Sequence, residues 1–147
     1  MSEPRQFCTF FLDGLRFGVD VRKVQEVVTY QEMTRVPLAP STVRGLLNLR
    51  GRIVTGIDLR RRLALPDRSQ ESLPINIVLR GDDTPVSFLV DEIGEVIEVP
   101  DDSWEAPPKT LQGPVRELIQ GVCPLHDELL LILDTAKTLE LDQGATH

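Results

Sequence analysis

The residues able to do chemistry are few, and they do not stand at the spacings that chemistry needs. Two histidines occur, His126 and the terminal His147. His126 sits between Leu125 and Asp127 in a turn-like stretch, where a polar side chain requires no special role. Cys123 lies three residues before it, and strand alternation turns the two side chains to different faces or leaves them at a hairpin end. Cys8 and Cys123 lie in apolar, strand-like runs without metal-ligand spacing, which predicts reduced core thiols and neither a metal nor a cofactor. Asp91, Glu92 and Glu95 could offer paired carboxylates, but in an acidic segment they read as solvated charge. The sequence has no phosphate-cradling glycine loop and no nucleophile elbow. Arg60-Arg61-Arg62 is a single helical turn without interleaved aromatics, which argues against nucleic acid. The expectation is a binding module, not an enzyme.

The elements that would position such a module are written twice. Gly45–Leu63 recurs as Gly121–Leu139 at a constant offset of 76, with Leu49/Leu125, Gly51/Asp127, Ile53/Leu129, Ile57/Leu133, Asp58/Asp134 and Leu63/Leu139 in step. Each copy reads as strand, tight turn, strand, and an Asp that caps a short helix. Upstream, Phe7–Leu12 and Leu15–Val19 flank Asp13-Gly14, a favoured two-residue hairpin turn. Asp20 then reads as an N-cap, and Val21, Val24, Val27 and Val28 fall at helical spacing, so the spacing predicts a short helix there. Thr29–Pro40 is turn-rich. Asp67–Ser72 is the expected junction, followed by a strand over Ile75–Leu79, a turn at Gly81-Asp82-Asp83 and a return strand over Val86–Val90. Ile93, Val96, Glu98 and Val99 echo Val21, Val24, Glu26 and Val27 at an offset of 72. Pro100–Pro114 reads as a loop, Thr135–Leu141 as a terminal helix, and 142–147 as a disordered tail. Short strands and two copies predict a mainly β fold of two small barrels, spanning about 5–66 and 73–141 of one domain, 5–142.

Composition agrees. A chain of 147 residues buries roughly 70% of its unfolded surface, enough for a core without disulfides. With 41% hydrophobic and 27% charged residues it has an ordinary globular balance. No apolar run approaches the ~18 residues of a membrane span and Met1–Gln6 is polar, so a cytoplasmic location is expected. Residues 1–72 carry 12 Lys+Arg and 8 Asp+Glu, whereas 73–147 carry 4 and 15. Charges of +4 and −11 on the two halves point to oriented docking.

Three stretches carry a family resemblance. They are Asp20-Val-Arg-Lys-Val24-Gln-Glu26-Val27, Pro40-Ser-Thr-Val-Arg-Gly45-Leu-Leu-Asn48-Leu49-Arg50-Gly51 running on to Asp58-Leu-Arg60, and Leu89-Val90-Asp91-Glu-Ile93-Gly-Glu-Val96. With the closing Gly121…Asp134 element, they resemble the CheW family of bacterial chemotaxis coupling proteins over about residues 6–141. Gly56 departs from the family's usual apolar residue, and Trp104-Glu105 from its usual aliphatic neighbourhood. The resemblance implies two five-stranded SH3-like barrels with an apolar layer between them. It implies a non-catalytic scaffold joining the cytoplasmic tip of methyl-accepting chemoreceptors to the regulatory domain of a CheA-type histidine kinase, recruited to membrane-bound receptor arrays without inserting into the membrane.

By the same resemblance, Val24, Glu26, Gly45, Asn48 and Arg50 match the receptor-facing surface. The loop Glu105–Thr110, including Glu105, Lys109 and Thr110, matches a ring-forming contact. Ile75 is a candidate kinase contact on an expected apolar edge of the second barrel, with a plain core role equally open. Helical receptor tips suit a helix-in-groove mode, glycine at 45 would admit a partner's backbone, and Glu26 and Arg50 are expected to pair. Within the family, an adaptor of a parallel pathway serving pilus motility or biofilm control is the alternative. A receiver-fused adaptor would need ~120 further residues. A proline-peptide-binding SH3 module fits poorly, because such a groove needs clustered aromatics and the chain has one Trp, one Tyr and five Phe, three of the Phe in the first strand.

Overall fold

The computed structural model describes residues 4–69, 72–80, 85–100 and 103–140. Ten strands form two five-stranded sheets. The chain runs β1 (Pro4–Leu12), β2 (Leu15–Asp20), β3 (Val24–Val28), β4 (Val43–Leu49), β5 (Arg52–Asp58), α1 (Leu59–Arg62), β6 (Ile75–Leu79), β7 (Val86–Val90), β8 (Glu92–Pro100), α2 (Pro114–Leu118), β9 (Ile119–Pro124), β10 (Leu129–Leu133) and α3 (Thr135–Thr138). One sheet has the order β8-β1-β2-β10-β9, the other β3-β6-β7-β5-β4. The first is called the terminal barrel and the second the central barrel. Among the described residues no helix is long and apolar enough to cross a membrane.

The repeat is real, but its two halves do not each build one barrel. In both sheets the pairings run antiparallel, antiparallel, parallel, antiparallel, the parallel pairs being β2–β10 and β5–β7. The hairpin β1–β2 closes the barrel holding β8, β9 and β10, and β6–β7 closes the one holding β3, β4 and β5. Each repeat therefore lends its leading hairpin to the other, and the expected division into 5–66 and 73–141 is corrected to interleaved barrels. Local geometry enforces this. Asp20 accepts from the Arg22 backbone N–H at 2.9 Å, so Val21–Lys23 forms one 3₁₀ turn that carries β3 into the other sheet.

That turn also corrects the helix expected over Val21–Val28. Val24, Glu26 and Val28 are half-buried while Gln25 and Val27 are exposed, an alternation of period two. β-branched valines fit that pleat better than a helix. Among the described residues, 103–113 are loop as expected apart from the Glu105 bridge, and the unforeseen element is α2, which starts where that loop ends, with Gly113 at φ 74 before Pro114 and with Val115 and Leu118 buried. Pro114 at the first helical position was the available signal. The turn at Gly81-Asp82-Asp83, Leu141 and the tail 142–147 lie outside the described residues.

The core has three parts. A shared layer of both sheets includes Phe10, Phe17, Val19, Ile57, Phe88, Val90, Leu131 and Leu133. The terminal barrel encloses Phe7, Val99, Cys123, Leu130 and Ile132, with Trp104 and Leu125 against them. The central barrel encloses Leu47, Leu49, Val54 and Val78, with Val28 and Met33 against them. Asp58 and Asp134 cap α1 and α3 by accepting from the Arg61 and Lys137 backbone N–H groups, so the shared aspartates do the same task in separate sheets.

Candidate functional site

The β4–β5 hairpin turns on Arg50 and Gly51, whose φ angles of 51° and 85° are those a two-residue type I′ turn needs. Gly51 adopts this freely, and Arg50 does so at a cost. Asn48 offsets that cost, its side-chain oxygen accepting from the Gly51 N–H at 2.9 Å. The turn thus holds Arg50 out at a fixed place, and its guanidinium donates to the Glu26 carboxylate on β3. The two strands lie at opposite ends of the sheet order, so this pair bridges the seam where the central barrel closes. Arg50 is 70% exposed and Glu26 22%. A pair so open to water adds only ~0–1 kcal/mol of stability, which leaves orientation of the surface as its main effect.

Val24 and Gly45 take different places. Val24 is half-buried, pairs with Leu79 and packs against the shared layer. Gly45 is buried beneath this chain's own backbone. Thr34 and Leu46 exchange two N–H···O bonds of 2.8 Å, and a Cβ on Gly45 would stand 2.6 Å from the Thr34 oxygen. The close approach expected of a partner is made internally. Gly56, opposite Gly45 in the β4–β5 register, is covered by the Met33 sulfur, which would lie 2.9 Å from a Cβ there. The unusual glycine at 56 and the methionine at 33 are therefore two halves of one packing solution.

The second candidate surface repeats this design. Glu105 and Val122 exchange two N–H···O bonds of 2.8 Å, and a Cβ on Gly121 would stand 2.8 Å from the Glu105 oxygen. Glu105, Lys109 and Thr110 are exposed. Arg116 on α2 fixes the loop between them by donating to the backbone oxygens of Pro107, Pro108 and Leu111 at 3.2, 2.6 and 3.3 Å. Arg116 escaped the sequence reading because nothing in its neighbourhood marks it as a clamp. Ile75 lies on β6, an interior strand between β3 and β7, and packs against the shared layer, so the apolar edge expected there is not an edge.

Two aspartates at matching hairpin ends anchor the barrels. Asp20 is held well below the ordinary carboxylate range, chiefly by hydrogen bonds from Arg22 and also from Arg5, against the opposing effect of burial. At Asp91 burial pushes the pKa up, but the hydrogen bonds of Arg60, the Asp13 N–H and the charges of Arg60 and Arg68 outweigh it and lower it. His126, 97% exposed beside Asp127 in the β9–β10 turn, has no catalytic surroundings among the described residues.

Residues 6–143 match the CheW-like domain. The chain is 32% identical over 140 residues to a chemotaxis protein CheW of Treponema pallidum, covering 92% of this chain and 82% of that one. It is 30% identical over 141 residues to a chemotaxis protein CheW of Klebsiella aerogenes, covering 96% and 85%. In three dimensions it resembles the scaffolding protein TtCheW from Thermoanaerobacter tengcongensis, with a TM-score of 0.77, 27% identity and coverage of 90% and 86%.

Proposed function

The chain belongs to the CheW-like family, and from that premise we propose that it is a non-catalytic chemotaxis scaffold coupling chemoreceptor tips to a CheA-type histidine kinase. The observation that carries this reading is the match from residue 6 to residue 143, on a duplicated barrel fold like that of a solved scaffolding protein. The receptor-facing surface is assigned to Glu26, Asn48 and Arg50. Val24 and Gly45 act beneath it, the first as packing and the second as the seat of the Thr34 segment. Asn48 sets the turn, the turn sets Arg50, and Arg50 with Glu26 presents fixed donors and acceptors to a helical partner.

The kinase-facing contact is assigned to the exposed Glu105, Lys109 and Thr110 on the loop that Arg116 holds, with Ile75 in a packing role. Work at the membrane would then come through the receptors it joins. Calorimetry with an isolated CheA-type regulatory domain tests the kinase half of the proposal. Saturable heat is expected, and none at protein concentrations of about 100 μM overturns it. Co-sedimentation with receptor-containing membranes tests the other half.

A further inference from the structure

Two polar side chains lie wholly inside the central barrel. Asn76 on β6 and Ser87 on β7 are both 0% exposed. Strand alternation puts Asn76 on the same face as Val78, a member of the inner cluster, while Ile77 and Leu79 face the shared layer. The Ser87 hydroxyl donates to the Asn76 side-chain oxygen at 2.8 Å, and the Asn76 amide donates to the backbone oxygen of Thr29 at 3.2 Å. Burying an amide and a hydroxyl this deeply is costly. A satisfied network of this kind holds one arrangement where apolar packing would tolerate several.

What the pair holds is one end of a strap. Val28 closes β3 and pairs with Asn76, so Thr29 is the first residue beyond the ladder and the Asn76 side chain takes its carbonyl. Gln31 donates to the same oxygen at 3.4 Å from within the strap. Further on, Thr34 is bridged to Leu46 on β4, with Gly45 beneath it and the Met33 sulfur over Gly56. β3 and β4 are the two ends of the sheet order, so residues 29–34 cross the same seam as the Glu26–Arg50 pair. Backbone bonds and two glycines seat the β4 end of the strap; Asn76 and Ser87 hold the β3 end from inside.

We propose that Asn76 and Ser87 are positioning residues for the receptor-facing surface: they fix the β3 end of the strap, and with it the stretch of β3 that sets Glu26 opposite Arg50. The partner rests on the receptor-facing reading of Glu26, Asn48 and Arg50; the anchoring of the strap does not. Neither buried side chain reaches a partner, so their contribution is preorganisation. A strap loose at one end must be ordered again each time the surface is used. Thr29 is exposed, so water serves its oxygen once Asn76 is replaced, and the anchor is lost without stranding a buried acceptor.

Asn76→Leu combined with Ser87→Ala removes both buried polar groups at nearly constant volume, so the melting temperature should move by less than about 5 °C. Amide hydrogen exchange at Thr34 and Leu46, read by NMR, should quicken about tenfold, while Glu105 and Val122, the matching bridge of the terminal barrel, exchange as before. Co-sedimentation with receptor-containing membranes should weaken about fivefold, with binding of the kinase regulatory domain unchanged. Unchanged exchange at Thr34 and Leu46 in the folded double variant overturns the anchoring. So does a loss of protection spread over the whole central barrel, which would make the pair a core element only. Faster exchange at those two amides with undiminished sedimentation overturns the positioning role. If the double variant does not fold, Ser87→Ala alone carries the test: it keeps the Asn76 donor but frees that side chain, and should quicken the same two amides about threefold. No change there overturns the proposal. If the wild type does not sediment with receptors at all, the coupling reading fails on its own, and the exchange measurement alone decides whether the pair anchors the strap.

Discussion

The terminal barrel is packed with rings and carries most of the negative charge. The inner cluster of the central barrel is aliphatic, with two facing glycines beside it, and that barrel carries the positive charge. Residues 21–91, which build the central barrel, hold 11 Lys+Arg and 8 Asp+Glu, a balance of +3; the remaining residues hold 5 and 15, a balance of −10. One duplicated plan has thus been specialised twice. Where Phe7 and Trp104 fill space, stability comes from burial; where Gly45, Gly56 and Met33 meet, a loop lies flat on a strand.

Replacing Phe7 by alanine should give the largest effect, a loss of about 3–5 kcal/mol by urea unfolding, from lost burial plus the cavity left beside Trp104. Val78→Ala in the lean barrel should cost only about 2 kcal/mol, and equal losses would break the comparison. Gly45→Ala and Gly121→Ala test the shared design instead. Each forces a Cβ against a backbone oxygen that cannot move without breaking a strand bridge, so both should cost about 1–3 kcal/mol. A silent change at either position would show that the two loops are not equivalent.

The aspartate clamps compare the barrels by pH. A carboxyl whose folded pKa is depressed stabilises the protein fully above its unfolded value of about 3.9, and this stability is lost as pH falls toward the folded pKa. Asp20→Asn and Asp91→Asn should each lower stability at pH 7 by about 1–3 kcal/mol. Thermal melts from pH 7 to pH 3 should show the gap to wild type constant at first and narrowing below about pH 4; a gap that widens in acid contradicts the clamp. The smallest effect on stability belongs to Glu26→Ala and Arg50→Ala, within about 1 kcal/mol. Those variants should nonetheless lose receptor association, and normal association with a large drop in melting temperature would show the pair to be structural.

Features that depend on neighbours along the chain were legible in the sequence. The Asp13-Gly14 turn, the strands Ile75–Leu79 and Val86–Val90, and the capping of matching helices by Asp58 and Asp134 follow from turn chemistry and a fixed offset. The pairing of Glu26 with Arg50 came from family positions of opposite charge. What stayed hidden is non-local. No periodicity tells which hairpin closes which barrel, because both hairpins present similar apolar faces. Val24, Val27 and Val28 satisfy helical spacing and strand alternation at once, and only the sheet waiting at β6 decides between them. Gly45 looks like a door for a partner until Thr34 is seen to occupy it.

The exchange of hairpins sets an order of assembly during synthesis. Every strand of the central barrel lies between Val24 and Val90, so that barrel can close while the last third of the chain is still on the ribosome. The hairpin β1–β2 is made before them yet must wait for β8, β9 and β10, its pairing of Phe17 with Leu131 spanning 114 positions of the sequence. Such distant pairing is slow to form and leaves unpaired edges exposed meanwhile. Phe7, whose cluster is drawn from β8, β9 and β10, therefore waits unburied until those strands have been made, and β1 is among the last strands to find its place.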